Sequence, residues 1–256
     1  MPLIQVPVKK TSVPGTRPEW GHTENSLNPP NPVRALLFDM DNTLFDLVGA
    51  QMAACQEVTR SLGFTEENLL YPYFLRPLHG YESHENILDF IHDRNIPETG
   101  FYENARRIFE QEKIRSITPY PGVVNTLNHF QDTGIPMGII TDAHSRDAVR
   151  RLEKAGLLSF FSCMVTYDLV GVKKPAHEPF ITALDMLQST AGEVLLVGDS
   201  PRRDIEPGKT LGFRTAYARY GDRFSDSRSS VQADFILDSI AELPGILSLI
   251  SGPDKK

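Results

Sequence analysis

From Ile135 to Ile250, short apolar runs alternate with stretches whose apolar residues recur at helical spacing, and this alternation restricts the possible folds more than any other feature. Ile135–Ile140, Cys163–Thr166, Val194–Val197, Thr215–Ala218 and Phe235–Leu237 read as strands. Helices are expected at Ser145–Lys154, closed by Gly156, and at Glu178–Gln188, Asp204–Leu211 and Ile240–Ile250. Strands joined through helices pair in parallel, each helix crossing back over a face of the sheet. Ala35–Phe38 is a further strand of the same buried type, followed by polar turn residues. The residues from 49 to 115 then hold hardly a strand-like segment. Gly49–Leu62, Ser83–Arg94 and Thr99–Arg115 carry helical periodicity instead, with Ile87, Leu88 and Ile91 on one face of the second. Thr118-Pro119-Tyr120-Pro121-Gly122 punctuates the chain before the alternation begins. The expected architecture is α/β: a doubly wound parallel sheet built from 33–46 and 119–256, interrupted after its first strand by an all-helical insert over 47–118.

A chain of 256 residues supports one large domain, or a main domain with a smaller companion. The first 32 residues differ from the rest, holding seven of the 19 prolines and the single tryptophan, Trp20, with no apolar periodicity; they read as a tail. No uncharged apolar run approaches the ~18–20 residues that span a bilayer, and no basic segment followed by an apolar one marks a secretory signal. Membrane is therefore not an expected partner. Two cysteines, Cys55 and Cys163, make no disulfide framework and fit a reducing cytoplasm. The net charge of −7 argues against nucleic acid, whose binders carry a basic face. It does not forbid small phosphorylated substrates, because a local metal ion or lysine reverses the field inside a cleft.

Open parallel sheets place working residues just past the carboxyl ends of their strands. Four such positions carry reactive groups. FDMDNTLFD (38–46) puts Asp39 and Asp41 two apart; Thr141 follows the strand ending at Ile140; VGVKKP (170–175) places Lys174 before a proline; GDSPRRD (198–204) supplies Asp199 and Asp204. Each has an ordinary alternative in turn or cap chemistry. A calcium loop beginning at Asp39 fails, since it needs Gly at position 44 and Glu at position 50, where the chain has Leu44 and Ala50. In one order, each at a strand end, the four fragments would meet at one rim of the sheet.

These fragments resemble the four motifs of the haloacid dehalogenase (HAD) superfamily, and the likeness runs from about Val33 to Ile250. YPGV (120–123), the closing ADFILDSIAELPGIL (233–247) and the position of the insert are similar to C1-capped members with a Rossmann-like core. The resemblance implies a Mg²⁺-dependent phosphatase. Asp39 would attack phosphorus and become an aspartyl phosphate, and Asp41 would serve as general acid, then base. Asp39, the Asp41 main-chain carbonyl and Asp199 would hold Mg²⁺, with Asp204 behind them orienting Asp199 or a water on the metal. Thr141 and Lys174 would bind the substrate phosphate. Lys173 reads as a solvated neighbour, Arg202 and Arg203 as surface charges balancing nearby acids, and Ser200 as a cap of the short helix or a contact to a metal ligand. No role is expected for Asp46 or Asp142.

The insert is expected to act as a mobile cap that favours a small phosphorylated metabolite over a macromolecule. Its polar and aromatic candidates are Tyr73, Arg76, His79, Tyr81 and His84, with Tyr73 and Phe74 packing between helices and the histidines at the surface. His79 and His84, five apart, do not share a helical face well and make a poor metal pair. A phosphomutase would use the same aspartate pair. A dehalogenase attacks carbon and has no need of Asp41, and a non-catalytic binding module has no need of all four motifs.

Overall fold

The structure is a computed structural model that describes residues 32–66, 68–224 and 231–251. Residues 1–31 of the proline-rich tail, Trp20 among them, lie outside the described residues. Six strands form one parallel sheet: β1 (Ala35–Phe38), β2 (Met137–Ile140), β3 (Cys163–Val165), β4 (Val194–Gly198), β5 (Arg214–Ala218) and β6 (Phe235–Leu237). Their spatial order is β3-β2-β1-β4-β5-β6. Leu37 pairs with Gly138 on one side and Leu196 on the other, which puts β1 at the centre. The chain runs outward through β2 and β3, then returns to the far side of β1 for β4, so the winding direction reverses there. Such reversals open a crevice at the carboxyl ends of the central strands.

The central strands β1 and β4 are uninterrupted apolar runs because both faces are covered. Along β1, Leu36 and Phe38 enter one core while Ala35 and Leu37 enter the other; β4 divides in the same way, with Leu195 and Val197 against Val194 and Leu196. The first core is completed by α5 (Val123–Asp132), α6 (Ser145–Ala155) and α10 (Leu243–Ser251), through residues such as Leu127, Leu152 and Leu247. The second is completed by α8 (Glu178–Leu187), through Phe180 and Ala183, and by α9 (Glu206–Leu211), through Leu211. A single turn, α7 (Tyr167–Val170), links β3 to the α8 side. Among the described residues no helix is long and apolar enough to cross a membrane.

Between β1 and α5 stands the expected helical cap, made of α1 (Leu47–Ser61), α2 (Tyr71–Phe74), α3 (Glu85–Asp93) and α4 (Glu98–Arg115). It has its own core, in which Phe74 and Phe109 stack with centroids 5.0 Å apart beside Val58, Ile87 and Phe90. Phe74 is therefore buried between helices as expected, while Tyr73 packs edge-on to Phe90 and turns its hydroxyl to Asp93.

The single-turn helices α2 and α7 are not among the expected segments, and three longer elements also depart from expectation. Helix α5 has no counterpart among the expected segments: Asn125, Thr126, Asn128 and Asp132 are weak helix formers, and packing of Val123, Leu127 and Phe130 on the sheet holds it. The expected helix at Asp204–Leu211 is a wide turn over Pro201–Ile205, followed by α9. The final helix starts only at Leu243, after a tight turn at Ile240–Glu242.

Candidate functional site

At the carboxyl end of β1 the chain turns sharply. Asn42 takes a left-handed conformation at φ 61°, and its side-chain oxygen accepts a hydrogen bond from the Val48 amide, so the turn runs directly into α1. The carbonyl of Asn42 lies so close to Gly221 that a Cβ there would stand 1.6 Å from its oxygen. Only glycine fits, and this close approach packs the β5–β6 connection against the turn. Tyr220 strengthens the contact by donating from its hydroxyl to the Thr43 carbonyl at 2.8 Å.

The turn delivers Asp39 to the crevice. Lys174 Nζ, carried by the loop between α7 and α8, donates to Asp39 Oδ1 at 2.5 Å and to Asp204 Oδ1 at 2.5 Å. All three side chains are buried. Asp199 follows β4, and the wide turn at Pro201–Ile205 folds Asp204 back to accept from the Ser200 amide at 3.1 Å. Gly198 leaves the room for this, since a Cβ there would meet the Asp204 carboxyl carbon at 2.5 Å. Ser200 caps the turn by accepting from the Arg203 amide, as expected of it. Carboxylate oxygens of Asp39, Asp199 and Asp204 lie within 4.8 Å of one another. Thr43, a motif residue given no role by the sequence, donates between two of them, to Asp39 Oδ2 at 3.2 Å or Asp199 Oδ1 at 3.3 Å.

The charges do not balance within this group. Burial opposes ionisation of Asp39, yet the Lys174 and Arg203 cations hold its carboxyl below the usual range. Burial and the charges of Asp39 and Asp204 push Asp199 well above that range. Burial also raises Asp204, with Lys174 opposing the shift. Burial alone would lower Lys174, but Asp204 and Asp39 reverse this and raise it. Three carboxylates facing one buried ammonium fit a divalent cation of the oxygen-seeking kind, which would supply the missing positive charge.

Thr141 is buried at the end of β2 and lines the same cavity, of about 810 Å³, as Asp39, Asp41, Lys174 and Asp199. Its hydroxyl oxygen accepts from the Ala143 amide at 3.2 Å, so its proton is free to point elsewhere. Asp41 shares the cavity, but its carboxylate turns to Arg151, whose Nη1 donates to Oδ2 at 2.7 Å. Burial, helped by Glu82 and Asp39 and opposed by Arg151, pushes Asp41 up to about 6.

Residues given no role in the sequence also shape the site. Asp142 accepts from the Lys174 amide at 2.9 Å and from Arg203 Nη1 at 3.3 Å, so it holds the lysine loop against the end of β2. Asp46 caps α1 by accepting from the Gly49 amide and pairs with Arg223. Lys173 is exposed, with its ammonium 5.3 Å from the Tyr167 ring. Of the cap candidates, Tyr81 reaches the cavity that Asp39 and Asp199 line, while Arg76 and His79 both pair with Asp89. His84 pairs with Glu110 and faces a neighbouring cavity between α4 and α6, so the two histidines have separate partners.

Known proteins resemble this chain in sequence and in fold. A glyceraldehyde 3-phosphate phosphatase from Methanocaldococcus jannaschii is 27% identical over 84% of this chain and 97% of its own. A pyrophosphatase PpaX from Bacillus velezensis is 31% identical over 82% and 94%. The fold matches that of YfnB from Bacillus subtilis, solved bound to magnesium, with a TM-score of 0.67 at 19% identity, covering 85% of this chain and 99% of that one. The family model for haloacid dehalogenase-like hydrolases matches residues 36–218. With the motifs gathered at one crevice and that match spanning most of the sheet and the cap, the chain belongs to the haloacid dehalogenase-like hydrolase family.

Proposed function

We propose that this protein is a Mg²⁺-dependent phosphatase that hydrolyses a small phosphate monoester through an aspartyl phosphate on Asp39. The observation that carries this reading is the Lys174 ammonium held between Asp39 and Asp204, beside Asp199, at the reversal point of the sheet. The phosphatases among its relatives support it.

Asp39 stays ionised in a buried crevice because Lys174 compensates its charge, which is what a carboxylate nucleophile requires. Attack forms a bond from the Asp39 carboxylate to phosphorus as the bond to the leaving alkoxide breaks. Asp41, pushed up to about 6, gives its proton to the departing oxygen, and later takes one from a water that attacks phosphorus as the bond to Asp39 breaks, releasing phosphate and the Asp39 carboxylate. Thr141 and Lys174 bind the phosphoryl oxygens and stabilise the charge that spreads over them. Asp39, the Asp41 carbonyl and Asp199 would hold the cation, and Asp204 orients Asp199. Bound Mg²⁺ neutralises the dianion that otherwise cannot approach three carboxylates.

The helices over 47–118 act as the cap over this site, and a closed cap limits substrates to small metabolites. Phosphate release from p-nitrophenyl phosphate with and without Mg²⁺ tests the activity. Stoichiometric release of free phosphate from sugar monophosphates, with no bisphosphate activator, separates it from a mutase.

A further inference from the structure

Arg151 lies on α6, outside the four motifs, and its side chain is 3% exposed. Its guanidinium reaches two carboxylates from separate parts of the fold. Nη1 donates to Asp41 Oδ2 at 2.7 Å, and Nη2 donates to Glu82, on the cap loop between α2 and α3. Glu82 also faces Lys113 of α4 at 3.4 Å, and Lys113, equally buried, pairs with Glu110 at 2.9 Å. Alternating charges thus run from the wall of the catalytic cavity into the cap. A guanidinium presents its donors in a rigid planar fork, so it holds two carboxylates in directions more fixed than the rotatable ammonium of a lysine imposes. The second oxygen of Asp41, Oδ1, is buried with no hydrogen-bond partner among the described residues. Arg151 therefore fixes the carboxylate by one oxygen, while the other makes no hydrogen bond.

We propose that Arg151 is a positioning residue that aims the Asp41 carboxylate, and that Glu82 makes this hold depend on the cap lying against α6. The proposal rests on the phosphatase reading of the site and adds a coupling between cap and proton donor. A merely structural bridge would slow every substrate alike. A bridge that aims the proton donor matters most when the leaving oxygen must be protonated as it departs.

The test compares kcat/KM, which reports the steps through leaving-group departure, for two substrates of the full-length Mg²⁺-loaded protein. p-Nitrophenyl phosphate releases an aryloxide that leaves unprotonated; glycerol 1-phosphate releases an alkoxide that does not. In Arg151→Ala, kcat/KM for glycerol 1-phosphate falls roughly 100-fold, the weight of a general acid, while that for p-nitrophenyl phosphate stays within about threefold. Glu82→Gln, which keeps shape and removes the charge, gives the same selective loss at roughly tenfold. Should Arg151→Ala fail to fold, Glu82→Gln on its partly exposed loop carries the test alone. Equal losses on both substrates, or none on either, overturn the proposal. The phosphatase reading fails differently, by equal phosphate release from wild type and Asp39→Asn.

Discussion

Lys174 Nζ stands 2.5 Å from Asp39 Oδ1, although 135 residues separate the two in the chain. The contact joins the loop after β3 to the end of β1 across the width of β2. It is also the means by which the buried Asp39 carboxylate stays ionised, as the proposed nucleophile must.

Lys174→Ala removes the buried counter-charge of two carboxylates at once. Breaking a buried pair from one side costs about 3–5 kcal/mol, so thermal unfolding in the absence of Mg²⁺ shifts down by roughly 10 °C. Phosphate release falls at least about 100-fold, because the same ammonium steadies Asp39 and the phosphoryl oxygens. Calorimetry and a phosphate assay read the two effects separately.

Asp199 is raised by burial and by two neighbouring carboxylates, and Asp41 is raised to about 6, so the cation-free fold binds protons that the unfolded chain has already released. Cation-free stability from these two groups is accordingly greater at pH 5 than at pH 7, and it falls as the pH rises through their folded values. If Asp199 holds Mg²⁺ as proposed, the cation competes with its proton, so affinity is expected to rise with pH and binding to release protons. Titration calorimetry in buffers of different ionisation enthalpy measures that release. Binding with no proton release, or tighter at pH 5 than at pH 7, contradicts the assignment of Asp199.

Thr43→Val keeps the shape of the side chain and removes the hydroxyl shared by Asp39 and Asp199. A hydrogen bond to a charged group is worth about 1.5–3 kcal/mol, so kcat is expected to fall roughly 10–100-fold. The melting temperature, followed by circular dichroism, stays within a few degrees of wild type.

Gly221→Ala tests the packing behind the site. Its Cβ would collide with the Asn42 carbonyl, a backbone atom fixed by the turn into α1. An overpacked contact of this kind costs about 1–3 kcal/mol or more, which lowers the melting temperature by roughly 3–10 °C in a chain of this length. Activity drops with it, since the displaced turn carries Asp39 and Asp41.

The sheet was legible because β1 and β4 are covered on both faces, which writes them as unbroken apolar runs. The six candidate positions were legible because they fall in four short fragments that follow strands, and Lys174 was singled out from Lys173 by the proline that follows it. Arg151 and Glu82 were hidden for the opposite reason. Arg151 meets Asp41 across 110 positions and Glu82 across 69, and neither belongs to a local pattern. Asp142 looked like an idle neighbour of Thr141 until the lysine loop was brought against it. Helix α5 draws its stability from packing on the sheet, not from its own residues, and the wide turn at Pro201–Ile205 exists to fold Asp204 back toward Lys174.

The central claim is that Asp39 takes the phosphoryl group. The most direct measurement is the rate of phosphate release from p-nitrophenyl phosphate by wild type and Asp39→Asn, each with saturating Mg²⁺, alongside mass spectrometry of the protein quenched during turnover. The wild type is expected to release phosphate at least about 1,000-fold faster and to carry a phosphoryl adduct on the peptide containing Asp39, as loss of a covalent nucleophile demands. Equal rates for the two proteins, with no adduct on that peptide, would contradict it.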